Sequence, residues 1–600
     1  MGLYARLQAI SPVSGLSEYL RKHAASWWSD VDKALQEGVF DVTAWGATGD
    51  GTTDDYTAIM DAYAALVAAG GSVLHFPGGT YGVGTMPVFA LDGMTITGDG
   101  DLTVIKQLAG ANLAAVVHIG ATDGSETDVL NVTVKELLID GNKANNSAST
   151  VGLKLWNPKV CKVHHIGAYN CDGQGFFSDT SEATVNTNAV RNFYHHIVTN
   201  SNDGHGFHMR GEKNTQPDVI RSWGNGGDGI VFEAFNYTTT PLIETTQCVA
   251  TSLRSADNTG YGLALDGAER FAIAGLICNA NGKAGVGFRN TNSTTAGRGL
   301  VNVQGAAWSL RNNGATDGVA GIATEDNAEV LGVTISGLRI QSATTIAVEQ
   351  VGIDARGWGR CVIDDFEING VPGTAIRLRA GTDAAGGATQ TRIVTISDGH
   401  LFSNGGGAGG TTHDGISIED SSTEIKLIGV SSQNGDTNST EGGYELAVGA
   451  SVTLLQLIGC SLNANESGYE TDINIAALAQ VVAPHGSVFR GSTTYKPSLA
   501  PAASANQTLT FPIEAAVLGN ILIDASAGAM SVDSITAMSA GTVVVIYTSS
   551  GGNLTLNHNT GGGNLRLSGA TGAGANWTGG SNSVIRLTCN GSNWYSEVAR

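Results

Sequence analysis

Between about residues 130 and 480 the chain keeps returning to one arrangement of apolar and polar positions. A segment of alternating apolar and polar residues leads to an Asn or Asp, then to glycines, then to a second alternating segment. The stretches VCKVHHIGAYNCDGQGFF from 160, NFYHHIVTNSNDGHGFHM from 192 and CVATSLRSADNTGYGLALD from 248 all follow it. Alternation with period two predicts strands, and the Asn/Gly punctuation predicts turns that need left-handed backbone. Aligned on its opening apolar residue, the second strand begins at Phe176, Phe207, Ile230, Leu263, Val286, Ile322, Ile353, Ile376 and Ile416. The intervals average 30 residues and vary from 23 to 40, as loops of different length between constant strands would make them. Short strands at this period, with no helix between them, predict a β-solenoid. A β-propeller blade of about 40–50 residues is too long for these units.

Composition supports this. Glycine is 83 of 600 residues and proline only 11, which favours tight turns over disorder. The formal charge of −22 argues against non-specific binding to nucleic acid or an anionic membrane surface. No run of 18 apolar residues exists, so membrane insertion is not expected. The N-terminus MGLYARLQAISPVSG lacks the apolar centre of a secretory signal. The seven cysteines stand singly, without metal-ligand spacing, so folding in a reducing cytoplasm and no metal or cofactor are expected.

Residues 46–59, GATGDGTTDDYTAI, crowd Asp50, Asp54 and Asp55 into a short loop. Thr53 or Asp54 suits a helix N-cap, Ile59, Tyr63, Leu66 and Val67 make one apolar face, and Gly70-Gly71 stops the helix. The aspartates therefore read as architecture. The longer stretch FDVTAWGATGDGTTDDYTAIMDAYAALVAAGGSVLHFPGGTYGV, residues 40–83, resembles the start of the pectate-lyase-like superfamily. That resemblance implies an all-β, right-handed parallel β-helix over 38–490, closed at its N-terminal end by a helical cap at 40–83. After PSLAPAASANQ (497–507), residues 491–600 change to short strands with Gly/Asn/Ser turns, predicting a C-terminal antiparallel, β-sandwich-like domain. The terminal SNSVIRLTCNGSNWYSEV resembles the ends of bacteriophage tail fibres and tailspikes. This resemblance implies a homotrimer on the phage tail, assembled in the host cytoplasm and acting outside the cell on a bacterial surface polysaccharide. It assigns 1–37 to attachment to other tail proteins, and 491–600 to trimerisation or glycan binding.

In a parallel β-helix, equivalent positions of successive coils stack about 4.8 Å apart. The fourth residue of each aligned strand should face out. It reads Asp179, Arg210, Glu233, Asp266, Arg289, Glu325, Arg356, Arg379 and Glu419, all charged in a chain only 14 % charged. Position two adds His208, Asp354 and Arg377. Such a column is either a ladder of surface ion pairs, worth roughly 0–1 kcal/mol each, or a carbohydrate groove. As a groove it points to Glu233, Asp266 and Glu325 as catalytic carboxylates, with Asp354 in reserve. Glu233 and Asp266 on neighbouring coils should repel, leaving one protonated as an acid. Asp266 and Glu325, two coils apart, approach the ~6.5–9.5 Å gap of an inverting glycosidase. Arg210, Arg289, Arg356 and His208 are candidate substrate ligands, with Tyr237, Tyr261, Phe235 and Trp223 as sugar platforms.

DGHGFH (203–208) and IDD (363–365) resemble two pieces of the polygalacturonase pattern, whose other pieces are absent. In the HH pairs at 164–165 and 195–196, alternation directs one histidine of each outward. The expected activity is endo-acting glycoside hydrolysis of a capsule or O-antigen. The alternatives are a lyase on a uronate-containing capsule, an O-acetyl esterase and a non-cleaving glycan-binding adhesin.

Overall fold

The computed structural model describes residues 38–121, 127–180, 190–234, 247–290, 300–326, 328–342, 350–382 and 387–402, and shorter stretches from there to 596. Residues 1–37, expected to serve attachment, lie outside the described residues. The chain divides into two compact units, Met1–Gln341 with Thr382–Gly387, and Ser342–Gly381 with Ala388–Arg600.

The first unit is a right-handed parallel β-helix in which most coils carry one four-residue and one eight-residue strand. The four-residue strands Phe176–Asp179, Phe207–Arg210, Ile230–Glu233, Leu263–Asp266 and Val286–Arg289 pair in parallel, opener against opener. Ile322 continues that register from inside the longer strand Val319–Thr324. Positions one and three face the interior, where the Phe176 and Phe207 rings stack at 4.7 Å and Phe232 packs on Phe271 at 4.6 Å.

The eight-residue strands include Thr133–Asp140, Lys162–Tyr169, Phe193–Asn200, Gln216–Trp223 and Val249–Ala256. Their fourth residue adopts left-handed backbone in every coil, at Glu136, His165, His196, Val219 and Ser252, with φ between 52° and 57°. This kink turns one strand around a corner of the coil and interrupts the alternation. Residues three and four both face solvent, so all four histidines of the two HH pairs are outside, contrary to the one-in, one-out expectation.

At the N-terminal end the helix runs Tyr56–Ala69 and ends on left-handed Gly70. Its N-cap is Asp55, not Thr53 or Asp54, and its buried face is Ile59, Ala62 and Leu66, while Val67 is exposed. Tyr63 reaches forward instead, its hydroxyl accepting from the Ala90 amide. Buried Asp55 accepts from the Thr48, Gly49 and Gly82 amides, so it ties the loop to the strand Gly79–Val83. Asp50 accepts from the Thr52 and Thr53 amides, and Asp54 from those of Tyr56 and Gly84. All three carboxylates are spent on backbone donors.

In the second unit the strands Val351–Arg356, Ile376–Arg379, Ile416–Ile418, Leu446–Val448 and Ile473–Ile475 pair successively in parallel. Beyond 491 the pairing is mixed rather than antiparallel throughout. Ser498–Leu499, Asn520–Ile523 and Val543–Thr548 are still parallel, with connections long enough for the crossovers that parallel pairing requires. Reversal comes with Val584–Cys589, antiparallel to Val543–Thr548, and with the short turn into Trp594–Ser596. The two C-terminal sheets share one apolar core, including Val532, Ile546, Leu556, Leu587 and Trp594.

Candidate functional site

Asp179, Arg210, Glu233, Asp266 and Arg289 stand opposite one another in five successive strands of the first unit. Glu325 follows directly, its amide bonded to the Phe288 carbonyl. Beneath them position two carries His208, Val231, Ala264, Gly287 and Ala323, largely small residues that leave room for other side chains to lie across the sheet. Tyr261 does so. A Cβ on Gly287 would sit 2.7 Å from its ring, and the ring packs with Val231, Ala264, Ala284, Val319 and Ala323.

The acids do not face one another. Asp179 holds Arg210 through two hydrogen bonds of 2.9 and 2.6 Å, and the guanidinium lies 5.1 Å from the Phe177 ring. Glu233 turns back to His208 Nε2 at 2.5 Å, and that imidazole stacks on Phe177 at 4.7 Å. Asp266 turns forward to Arg289 Nε at 3.0 Å, while Arg289 Nη1 reaches Asp228 at 2.7 Å. The expected Glu233–Asp266 repulsion is thereby relieved, because the two carboxylates turn to partners on opposite sides, His208 and Arg289. Asp266 is only 1 % exposed and charge-paired, a poor position for a proton donor. Glu325 accepts from the Tyr261 hydroxyl at 3.0 Å.

Asp354 belongs to the second unit, where Arg356 and Arg379 both bind its carboxylate, at 2.6 to 3.0 Å. Tyr237 and Phe235 lie outside the described residues. Trp223 closes the eight-residue strand Gln216–Trp223 and is 39 % exposed, on a different sheet from the column.

Four residues of the cluster, His205, Asp228, Lys283 and Asp317, were not singled out as site residues from sequence, whereas Tyr261 was, as a sugar platform. His205, Asp228 and Tyr261 each precede the glycine that opens a four-residue strand, in HGF, DGI and YGL. Counting alternation back through that glycine sends them inward, but the glycine turns the chain and they lie over the outer face. The recurring x-Gly-apolar triplet was the available signal. Lys283 places its ammonium 4.7 Å from the Tyr261 ring centre. Asp317, in the turn before Val319–Thr324, accepts from the Ala284 and Val319 amides.

The electrostatics divide these groups. Burial and the neighbouring His208 push the His205 imidazole down to about 4, so it is neutral near pH 7. Burial, then the Glu325 carboxylate, raises the Tyr261 phenol above its usual range and keeps it protonated. Burial also raises Asp317. Burial opposes the charge on Arg289, but Asp228 and Asp266 outweigh it and the guanidinium is held more firmly protonated. A neutral imidazole, a protonated phenol, an ionisable carboxylate and an ammonium thus share one patch, a set suited to proton transfer beside an anionic substrate.

Residues 39–249 match the family described as rhamnogalacturonase A/epimerase, pectate lyase-like. The chain is 28 % identical over 207 residues to the mannuronan C5-epimerase AlgE1 of Azotobacter vinelandii, covering 29 % of this chain and 14 % of that protein. It is 34 % identical over 125 residues to AlgE3 of the same organism, covering 20 % of this chain and 7 % of that one. The chain thus spans a small part of these relatives' length. Among solved structures, the N-terminal fragment of gene product 12 of bacteriophage Phi29 is similar at 16 % identity, covering 91 % of this chain and 92 % of that one, with a TM-score of 0.47.

Proposed function

We propose that this chain is a polysaccharide-active enzyme that transfers the C5 proton of a uronate in a bacterial surface glycan, with Tyr261 as its proton-transfer group. The observation that carries the reading is the placement of the Tyr261 hydroxyl on Glu325, with the Lys283 ammonium against its ring. Among the described residues Lys283 forms no ion pair; its charge acts on Asp317 at longer range, and its ammonium beside the Tyr261 ring is placed to meet a substrate carboxylate. In this reading Lys283 neutralises the uronate carboxylate and lowers the cost of the carbanion that forms when the C5–H bond breaks. The Glu325 carboxylate, hydrogen-bonded to the Tyr261 hydroxyl, receives that proton. Tyr261 gives its own proton to O4 as the C4–O4 bond breaks, or to the opposite face of C5 if the chain stays intact. The first outcome is a lyase and the second an epimerase, and the similarity to mannuronan C5-epimerases supports C5 chemistry in general.

A second reading, hydrolysis, is favoured by one observation. Asp317 is raised by burial and so suited to act as an acid, with Glu325 as the second carboxylate. Digestion in D2O separates the three. A lyase product gains the ultraviolet absorbance of a C4–C5 double bond, an epimerase product gains deuterium at C5 without chain cleavage, and a hydrolase product gains reducing ends alone. On the C5 reading Tyr261→Phe lowers kcat by at least about 10²-fold, within the range for a lost general acid, and Lys283→Ala acts mainly on KM. Reducing ends without deuterium or absorbance would overturn it in favour of hydrolysis.

The tail setting, the homotrimer and attachment through residues 1–37 are part of the same proposal, supported by the resemblance of the terminal segment to tailspike ends. The mass of the assembled particle in solution tests the trimer.

A further inference from the structure

Two kinked strands of the first unit place histidine both before and at the left-handed residue. His164 and His165 stand in Lys162–Tyr169, and His195 and His196 directly opposite in Phe193–Asn200. The preceding strand offers Glu136 at the same corner. The ligand atoms of His165, His195 and His196 lie within 4.8 Å of one another, as do those of Glu136, His164 and His165. The rings of His165 and His196 stack at 4.8 Å, and the His164 and His165 Nδ1 atoms are 3.0 Å apart. A cavity of about 480 Å³ opens beside the cluster, with Glu136, His165, Tyr169, His196 and Asn200 in its lining.

We propose that His165, His195 and His196 bind one divalent transition-metal ion of zinc type, with the fourth position open to a molecule in the cavity. Three imidazoles are borderline donors that suit zinc and not calcium or magnesium. Zinc–nitrogen bonds of about 2.0–2.1 Å require the nitrogens to close in only modestly from their present spacing. His165 is exposed, so its ring can rotate to do so. His195 already has the orienting partner typical of metal ligands, since its Nδ1 meets Asp218 Oδ2 at 3.0 Å. The bound ion would staple two successive coils. This site is on a different sheet from Tyr261 and is independent of the proposed reaction.

The test uses the full untagged chain, stripped with a chelator and titrated with zinc by calorimetry, with metal content and melting temperature measured in parallel. The expected result is one zinc per chain and a raised melting temperature. The ion is lost in the His165→Ala/His196→Ala double variant and retained in His400→Ala, a histidine of the strand Arg392–Phe402 in the second unit. Asp218→Asn should weaken binding about 10–100-fold, as loss of an orienting partner does. Cobalt gives a second readout on the unmutated chain: visible bands of a tetrahedral histidine site are expected. Absence of both zinc binding and these bands, zinc retained by the double variant, or equal stabilisation by magnesium would overturn the proposal.

Discussion

Glu212 is fully buried, and four donors converge on its carboxylate. Tyr194 binds at 2.6 Å, Thr215 at 2.7 Å, Asn192 at 3.0 Å, and Ser178 completes the set. Burial raises its pKa from the ordinary 4.5, and the hydrogen bonds only partly offset this. The sign follows from proton linkage: the folded state holds the proton more tightly than the unfolded chain. This group therefore makes stability fall as pH rises from 4.5 towards its raised folded value, and contributes no further pH dependence above that. Urea midpoints measured across that window should decline in the native chain and decline less in Glu212→Gln, which keeps the hydrogen-bonding shape without the charge. Parallel declines in both proteins would show that the carboxylate is ionised throughout. At the same scale, Gly287 shows how a site residue can depend on a missing atom. A methyl there would displace the Tyr261 ring, and nothing in the column of charges announces it.

Between coils the turns are joined by a buried ladder. Asn202 donates its side-chain amide to Asn225, Asn225 to Asn258, Asn258 to Asn281 and Asn281 to Asn313, at 2.8 to 2.9 Å. Each side-chain oxygen also accepts a backbone amide of the preceding rung, as Asn258 does from Asn225. Asn258→Ala would strand one N–H of the Asn225 side-chain amide, which keeps its bond to Ser222, and the Asn225 backbone amide, at about 1–3 kcal/mol for each buried orphan. The expected loss is therefore about 2–6 kcal/mol by urea unfolding, and a loss below about 0.5 kcal/mol, typical of a surface change, would contradict the ladder's role. The Asn/Gly punctuation of the repeat was legible in sequence, as was the strand register: openers from Phe176 to Ile322 pair with their successors as the alignment set them. Two features defeat simple alternation. The kink at the fourth residue of each long strand puts two neighbours outside, and the glycine before each short strand turns His205, Asp228 and Tyr261 over the outer face. Both are backbone effects that a count of apolar and polar positions does not register. The identity of the column was therefore readable, while its pairing was not, because which cation an acid turns to depends on side-chain reach along the sheet.

For the protein as a whole, the charge is unusual for an enzyme proposed to take an anionic glycan. The chain carries a formal −22, with 54 acidic against 32 basic residues. At the candidate site most cations are already paired: Arg210 with Asp179, and Arg289 with Asp228 and Asp266. Attraction by Lys283 is local, whereas repulsion by the net charge acts over the Debye length. That length shrinks from about 30 Å at 0.01 M salt to about 8 Å at 0.15 M. Salt should therefore remove the long-range repulsion first, and kcat/KM on a polyuronate should rise between these two ionic strengths before levelling. A protein that draws its substrate in with a basic groove would show the opposite, its rate falling steadily with salt. A neutral glycan should give a flat profile. Rates on a uronate polymer and on the same polymer with its carboxylates reduced distinguish these cases. A monotonic fall on the uronate polymer would mean that local cations dominate the approach, and that the acidic surface faces away from the incoming chain.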